Sequence, residues 1–476
     1  MQHTHFHGLQ SQHLHLLIVN EGPLLSNAAA GLAGERKEAA LLAALHVAGK
    51  LKDPRAVERA AERAAAQSRF PDFSHWSPPT IAQGNAGLAL LWAYLDSCFP
   101  DHGWDVVGRT HLEEATRSTD LESSIGTGLF SGLSGLAFAG WQLSREGTRY
   151  RRMLASLDAV IAAEAMSLAS RVRASNGLSV GEFDVISGLS GIGAYLLCRR
   201  REPALAIAIA SVVDALTTHV LREQTPPAWY TPADLLYDEA TRQMFPNGNL
   251  NCGLAHGIPG VLAFLSLVRL SDRSFDRLDE AIVVIAEWIR AHRQDDAWGM
   301  NWPTAVHLEE VSDPKGRTVL RPGDPAGAPG GPSRTAWCYG SPGVARALWL
   351  AGQALDRSDY RNLAIAAMDA VFRRPIPARM IDSPTFCHGV SGLLAITMRF
   401  ATDTQLPVFI EESRRLVEQL LQSFRPDSLL GFRTIEYGGN ETDQPGLLDG
   451  AAGVALVLLA AATGIEPTWD RIFLLS

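Results

Sequence analysis

The sequence predicts an all-α protein in which seven helix pairs close into a ring. Two observations support this fold class: seven Gly-x-x-Gly elements each open an apolar run, and polar segments with helical periodicity lie between the runs. The elements contain fourteen of the 42 glycines, and their first glycines are Gly84, Gly132, Gly188, Gly257, Gly340, Gly389 and Gly450. Because all seven stand in one register before an apolar run, we interpret them as an internal repeat rather than as chance matches.

Each repeat is predicted to contribute one inner and one outer helix. Runs such as GLALLWAYL and GVALVLLAA are apolar on more than one face, which is typical of a buried helix, whereas FDRLDEAIVVIAEWIRAH and FIEESRRLVEQLLQSF are amphipathic. The irregular spacing argues against an open solenoid of equal units, and closure would bury the inner helices without terminal caps. Glycines at the start of the inner helices would let backbones approach closely at a crowded centre.

Composition limits the compartment and the partners. Of the 476 residues, 46 % are hydrophobic and 20 % charged, so the chain is globular rather than disordered. A net charge of −9 makes a nucleic acid a poor partner. The longest apolar stretch, AAGVALVLLAAATGI, is too short for a membrane span, and no targeting segment is visible. The five widely spaced cysteines fit a reducing compartment, and we expect a cytoplasmic protein.

Two segments depart from the repeat. Residues 1–30, with five histidines in MQHTHFHGLQSQHLHLLIVN, are expected to form a poorly ordered or accessory segment before a single domain over residues 31–476. The longest gaps between repeats precede Gly257 and Gly340 and should carry insertions. The second insertion, around 293–333, contains the strand-like DAWGMNWPTAVHLEE and then RPGDPAGAPGGP, which its Pro and Gly content predicts as a loop.

The positions just before the first glycines should meet on one rim if the repeats are equivalent. Immediately before the first glycine stand Gln83, Ser131, Ser187, His256, Tyr339, His388 and Asp449. One place earlier stand Ala82, Phe130, Ile186, Ala255, Cys338, Cys387 and Leu448. Polar and metal-binding side chains from repeats distant in sequence would therefore converge there.

Cys338, Cys387 and His388 form a candidate zinc set within this rim. Two thiolates and one imidazole supply three protein ligands and leave a fourth tetrahedral position open, as in catalytic zinc sites. Zn²⁺ with two thiolates is about neutral, which favours an electron-rich substrate thiolate over strong Lewis acidity. The spacing is no local metal motif, and buried cysteines acting as small apolar side chains are the alternative. We assign that alternative to the other three cysteines, Cys98, Cys198 and Cys252.

Three further residues are candidates for proton transfer and charge stabilisation. His256 is a candidate general acid or base, although a histidine beside glycine often serves only as a structural hydrogen-bonding group. Asp184 could orient His256 or take a proton, and an ordinary helix N-cap is equally compatible with its local sequence. Arg334 could stabilise an oxyanion, with a plain surface arginine as its alternative.

These segments together resemble the lanthionine synthetase C-like family, the lanthipeptide cyclases. The resemblance rests on the joint presence of NCGLAHGIPG, RTAWCYGSPG and FCHGVSG, supported by DVISGLSGIGAYLL and GLLDGAAGVAL, and it extends from about residue 30 to the end. It implies an α/α toroid (barrel) of seven inner and seven outer helices, with a small irregular, β-containing insertion. It also implies Zn²⁺ on Cys338, Cys387 and His388 and catalytic roles for His256, Asp184 and Arg334, with Tyr339 a weaker supporting candidate.

The activity that the resemblance implies is a Michael-type addition. Cysteine thiols of a dehydrated precursor peptide with its leader would add to dehydroalanine or dehydrobutyrine, giving lanthionine or methyllanthionine rings. A dehydratase and a transporter are further expected partners. Two other hypotheses stay open: addition of glutathione to dehydroamino acids in proteins, and a non-catalytic zinc-bearing scaffold that binds peptides. An α/α barrel of the protein prenyltransferase type, with its mixed Asp, Cys and His ligands, fits the cysteine pattern poorly.

Overall fold

The structure is a computed structural model that describes residues 32–70, 76–119, 125–271, 275–329, 331 and 333–476. The predicted accessory segment 1–30 lies outside these residues, so the boundary at residue 31 stays a prediction. In chain order the helices are α1 (Gly34–Lys50), α2 (Pro54–Gln67), α3 (Asn85–Cys98), α4 (Trp104–Thr119), α5 (Leu133–Gln142), α6 (Arg151–Ala174), α7 (Val180–Phe183), α8 (Leu189–Cys198), α9 (Pro203–Val220), α10 (Glu239–Met244), α11 (Ile258–Ser271), α12 (Leu278–Ala291), α13 (Ser341–Ala354), α14 (Ser358–Arg373), α15 (Val390–Thr404), α16 (Pro407–Ser423) and α17 (Ala451–Thr463).

Each Gly-x-x-Gly element begins an inner helix, as predicted. Among the described residues, these seven helices are α3, α5, α8, α11, α13, α15 and α17, and each starts at the residue after its first glycine. In α17 every residue from Ala451 to Ala462 is buried, so this helix has no solvent-facing side. In the outer helix α12, by contrast, burial is confined to one helical face that includes Leu278, Ile282 and Ile285.

The inner helices close into a toroid. Each packs against the next, and α17 packs against α3, which joins the last repeat to the first. Over the part of the chain that the structure describes, seven outer helices cover them: α1, α4, α6, α9, α12, α14 and α16. Helix α1 covers α17, and α2 is an additional helix outside α4. The predicted α/α toroid of seven inner and seven outer helices is therefore confirmed.

A closed circuit of backbone hydrogen bonds joins the repeats at the rim. Each bond runs from an amide N–H to a carbonyl oxygen of the next repeat, with N···O distances of 2.9 to 3.3 Å. The donor and acceptor pairs are Ala82 to Phe130, Phe130 to Ile186, Val185 to Ala255, Ala255 to Cys338, Cys338 to Cys387, Cys387 to Leu448 and Leu448 to Ala82. These are the residues two places before the first glycines, with Val185 in place of its neighbour Ile186 as one donor. The repeats are thus held in one register at the level of the predicted site.

The second glycine of each element is required by close backbone packing. A Cβ atom there would lie 2.0 to 2.5 Å from the carbonyl oxygen of the residue six positions earlier, a distance that no side chain can occupy. The affected glycines are Gly87, Gly135, Gly191, Gly260, Gly343, Gly392 and Gly453. This shared contact explains why the motif recurs.

Short strands occupy the longer connections, as expected for the β-containing insertion. The strands of the described residues are β1 (Asn249–Asn251), β2 (Gln294–Asp296), β3 (Gly299–Asn301), β4 (Ala305–Ser312), β5 (Thr318–Pro322), β6 (Thr434–Ile435) and β7 (Glu441–Thr442). They form an antiparallel sheet in the order β1-β4-β5 and the pairs β2–β3 and β6–β7, with Leu250 opposite Val306 in the sheet. The predicted loop RPGDPAGAPGGP is wrong at two points, because β5 continues to Pro322 and a 3₁₀ turn spans Pro325–Gly327.

Two outer helices, α6 and α9, are long and apolar enough to cross a membrane by length and composition alone. They pack against each other and against the inner helices α5 and α8. Core helices of globular proteins pass the same test, and 56 % of the apolar window of α9 is buried here, against 33 % of that of α6. The expected absence of a membrane span stays a prediction.

Candidate metal centre and acid–base pair

Cys338, Cys387 and His388 come together at the rim of the toroid. Their ligand atoms all lie within 4.8 Å of one another, and they are the one group of this kind within the described residues. Cys338 precedes α13, and Cys387 and His388 precede α15, so the two segments are neighbours in the backbone circuit. Two sulfur atoms and one imidazole nitrogen at this separation suit a tetrahedral zinc ion that keeps one position open.

The electrostatics of the thiol pair also suit a cation. The hydrogen bond from the Cys387 thiol lowers the pKa of Cys338 well below its usual value, and His388 and Arg334 act in the same direction. The same hydrogen bond raises the pKa of Cys387. Within this pair Cys338 is therefore the thiol that ionises more readily, and Cys387 holds the proton of the hydrogen bond. A bound cation would replace that proton, because thiolates are the form that binds metals.

Asp449 supports His388 and was not singled out by the sequence analysis. Its Oδ1 lies 3.5 Å from Nδ1 of His388, and burial raises the pKa of Asp449 against the opposing effect of the histidine. A carboxylate beside a metal-binding histidine commonly fixes the orientation of the imidazole. The available signal was its position, since Asp449 stands on the predicted rim immediately before the seventh first glycine.

His256 and Asp184 form a hydrogen-bonded pair on the same rim. Nδ1 of His256 lies 2.7 Å from Oδ2 of Asp184, which leaves Nε2 of His256 for a substrate. Oδ1 of Asp184 accepts hydrogen bonds from the backbone N–H groups of Ser187 and Gly188, each at 2.8 Å. Asp184 therefore plays both of the roles that its local sequence allowed: it caps the turn before α8 and orients His256.

The pair favours a protonated imidazole. Burial lowers the pKa of His256, but the hydrogen bond and the charge of Asp184, together with the charge of Cys338, outweigh burial and raise the pKa above its ordinary value. The influence of Cys338 also shows that the acid–base pair lies within electrostatic range of the thiol cluster. A protonated histidine whose second nitrogen is free can act as a general acid.

Tyr339 lies between the Cys–Cys–His cluster and the His256–Asp184 pair. It follows Cys338 in the chain, and its aromatic ring lies 6.3 Å from that of His256, centroid to centroid. Its Oη accepts a hydrogen bond from Nδ2 of Asn251 at 3.1 Å, and the amide N–H of Gly253 fixes Asn251 by bonding its Oδ1. Burial raises the pKa of Tyr339, which keeps the phenol neutral. Asn251 was missed by sequence reasoning, although it lies in the NCGLAHGIPG motif.

Arg334 is exposed, and its side chain forms no hydrogen bond or ion pair with the residues that the structure describes. Its positive charge nevertheless adds to the lowering of the pKa of Cys338 and opposes the rise of the pKa of Cys387, so the guanidinium lies within electrostatic range of the cluster. Arg334 is thus exposed on the surface, and it lies next to the site. Five donors without partners are available to a bound molecule.

The other three cysteines take no part in the cluster. Cys252 is buried, and Cys98 and Cys198 are half-buried against the core. Burial raises the pKa of Cys98 and Cys252 to about 12 and that of Cys198 to about 11. These thiols stay protonated and pack as small apolar side chains, as the sequence analysis assigned them.

The comparison with known families settles which group of proteins this is. The family described as "Lanthionine synthetase C-like protein" matches residues 75–474. The chain belongs to the lanthionine synthetase C-like family. The enzyme class that the motifs implied, a lanthionine synthetase or cyclase, is thereby confirmed.

Two individual relatives agree with this assignment. Nisin biosynthesis protein NisC of Lactococcus lactis subsp. lactis is 25 % identical over 398 residues, which cover 82 % of this chain and 87 % of that protein. The solved structure of nisin cyclase superimposes with a TM-score of 0.69 at 23 % identity, covering 88 % of this chain and 97 % of that one. The second likeness shows that the two proteins share the toroid fold.

Proposed function

We propose that this protein is a zinc-dependent peptide cyclase that adds cysteine thiols of a dehydrated precursor peptide to dehydroalanine or dehydrobutyrine. The observation that carries the proposal is the placement of a Cys–Cys–His cluster and a His–Asp pair on one rim of a family toroid. The printed name of the relative NisC, a nisin biosynthesis protein, supports the same substrate class.

Zinc on Cys338, Cys387 and His388 would hold the substrate thiol as a thiolate and leave it nucleophilic, since two thiolate ligands already offset its charge. The reaction forms one bond from sulfur to the β-carbon and breaks the π bond of the dehydroamino acid. The electron pair moves to the α-carbon and its carbonyl oxygen as an enolate. The thiol proton leaves to solvent before this step, and one proton is delivered to the α-carbon afterwards, so the addition as a whole neither gains nor loses a proton.

Separate residues of the chain would deliver the proton and stabilise the enolate. His256, held through Nδ1 by Asp184, would deliver the proton from Nε2 to the α-carbon. The exposed guanidinium of Arg334 would stabilise the enolate oxygen. Ring closure within one peptide is intramolecular, so much of the rate gain comes from holding thiol and alkene together.

The test is incubation with dehydrated precursor peptides, followed by alkylation of free thiols and mass measurement. A cyclase removes free thiols without changing the peptide mass. Wild-type protein with about one bound zinc that leaves all thiols free across suitable peptides would contradict the proposal. The variant Cys252→Ala is the matched control, because that cysteine is buried away from the cluster and should not affect cyclisation.

The same assay separates the two other hypotheses. Glutathione added to the mixture would give a mass increase of one glutathione if the protein acts between molecules. A scaffold without catalysis would leave all thiols free in this assay, and His256→Ala would leave the cellular product unchanged. A cytoplasmic location, and a dehydratase and a transporter as partners, remain predictions that the genes beside this one can test.

A further inference from the structure

The segment Thr468–Ser476, here called the axial segment, crosses the centre of the toroid. Its residues contact side chains from helices far apart around the toroid. Thr468 donates a hydrogen bond to Gln142 of α5 at 3.0 Å, and Trp469 packs edge-on against Tyr94 of α3. The segment also packs against α8. Only a segment on the axis can touch elements that are distributed around the toroid in this way.

The axial segment reaches the residues that precede the two thiol ligands. Phe473 stacks on Phe386 with 3.7 Å between ring centroids, and it packs edge-on against Trp337 at 5.1 Å. Nε1 of Trp337 also donates a hydrogen bond to the carbonyl oxygen of Phe473 at 3.0 Å. Phe473, Phe386 and Trp337 are fully buried. One side chain therefore contacts the direct neighbours of Cys338 and Cys387.

Backbone geometry links these contacts to the thiols. The amide of Cys338 donates to the carbonyl of Cys387 at 3.2 Å, so the two ligand segments run side by side. The aromatic residues are buried against Phe473, and the cysteines that follow them belong to the ligand cluster at the rim. A shift of Trp337 or Phe386 into a space left by Phe473 would therefore move the next residue and change the separation of the sulfur atoms.

Two buried arginines fix the axial segment to the helices that follow the ligands. Arg346 of α13 donates to the carbonyl oxygen of Leu475 through Nε at 2.8 Å and through a terminal nitrogen at 2.5 Å. Arg399 of α15 donates to Oδ2 of Asp470 at 2.5 Å. Helix α13 begins after Cys338 and α15 after His388, so both ligand-bearing units are connected to the same axial segment.

We propose that the axial segment, through Phe473, is the positioning element of the metal centre and sets the separation of the two thiol ligands. This inference rests on the proposed zinc site and adds a residue that touches neither metal nor substrate. It predicts that Phe473 controls zinc affinity itself, beyond its contribution to stability. Outer groups that orient metal ligands typically change metal affinity 10- to 100-fold when altered.

The experiment measures the zinc dissociation constant by competition with a chelator and the ligand-field spectrum of the cobalt-substituted protein. The variants are Phe473→Ala and the milder Phe473→Leu. Phe138→Ala and Phe138→Leu serve as matched controls, because Phe138 is buried in α5, whose repeat supplies no ligand. We expect Phe473→Ala to weaken zinc binding at least about tenfold and to alter the cobalt spectrum, with Phe473→Leu intermediate and both controls at the wild-type constant.

Wild-type zinc affinity in folded Phe473 variants, or an equal loss in the Phe138 variants, would overturn the inference and leave the proposed function intact. If Phe473→Ala fails to fold, the comparison of zinc affinity between Phe473→Leu and Phe138→Leu tests the inference. A wild-type protein that binds no zinc would contradict the proposed metal site instead, so the two failures are distinguishable.

Discussion

Replacing Asp184 by asparagine separates its two roles. The amide oxygen of the asparagine can still accept from the backbone N–H groups of Ser187 and Gly188, so the turn before α8 keeps its cap. The amide nitrogen meets Nδ1 of His256, where the wild-type carboxylate accepted a hydrogen bond at 2.7 Å. The variant therefore removes the charge and the acceptor that hold His256 protonated, while the fold remains.

The size of the effect follows from the geometry. A hydrogen bond to a charged group contributes about 1.5–3 kcal/mol, and each 1.4 kcal/mol corresponds to about a tenfold change. Asp184 is buried, but the side chain of His256 is 37 % exposed, which places the expected loss in the lower half of that range. We expect Asp184→Asn to lower kcat/KM for cyclisation about 10- to 50-fold. Asp184→Ala, which also loses the cap, should unfold with about 1–3 kcal/mol less free energy than Asp184→Asn.

The pH dependence of the rate tests independently in which direction Asp184 shifts the pKa of His256. A general acid works while it is protonated, so the rate falls as pH rises through the pKa of His256. Asp184 raises the pKa of His256 against burial, and this extends activity to higher pH. Without the carboxylate, burial dominates and lowers the pKa of His256. The alkaline limb of the pH–rate profile should therefore move to lower pH in Asp184→Asn.

The assay is the initial rate of thiol loss as a function of pH, with thermal unfolding of each variant as the control. If Asp184 acts only through His256, Asp184→Asn should cause no further loss in a His256→Ala background. An undiminished rate in Asp184→Asn, or the same fractional loss in both backgrounds, would refute the reasoning.

Three further predictions concern the metal, the packing and the surface charge. Elemental analysis should find about one zinc per chain in wild type and in Cys252→Ala but none in Cys387→Ala, because only Cys387 lies in the cluster. Gly392→Ala should lower the free energy of unfolding by about 1–3 kcal/mol in denaturant titrations, because its Cβ would lie 2.0 Å from a carbonyl oxygen. The control Gly49→Ala has open space around the new Cβ and should be neutral or stabilising. Arg334→Ala should change stability by less than about 0.5 kcal/mol but reduce kcat, and a large stability loss would show that the arginine is structural.

The architecture could be predicted from the sequence because the contact that requires glycine in each repeat lies within a few residues. Each second glycine faces the carbonyl oxygen of the residue six positions earlier, so the requirement for glycine is written into a short motif and repeats with it. Local signals were weaker where the chain departs from the repeat. RPGDPAGAPGGP has the composition of a loop, yet its first two residues pair with β4 and extend β5. Pairing with the neighbouring strand β4 decided this, and the composition of the segment alone does not encode that pairing.

The residues of the candidate site could be predicted from the sequence, but their contacts with one another could not. The shared register placed His256, Cys338, Cys387 and His388 on one rim, and the family motifs distinguished them from other rim residues. For Asp184, a cap and a partner of His256 were equally compatible with its local sequence, and the structure shows both. The two side chains are 72 positions apart, so only the packing of the third repeat against the fourth brings them together. Asp449 was overlooked for the same reason, since its contact with His388 depends on the last repeat meeting the sixth.

The sequence by itself predicted that seven helix pairs close into a toroid, that three candidate metal ligands share its rim, and that the chain belongs among the lanthionine cyclases. These conclusions rest on contacts within one repeat and on motifs of a few residues. Only the tertiary structure decided which side chains support the ligands. The axial segment meets Trp337 across 136 positions, and no periodicity specifies a contact that exists only because a closed toroid has a single central axis.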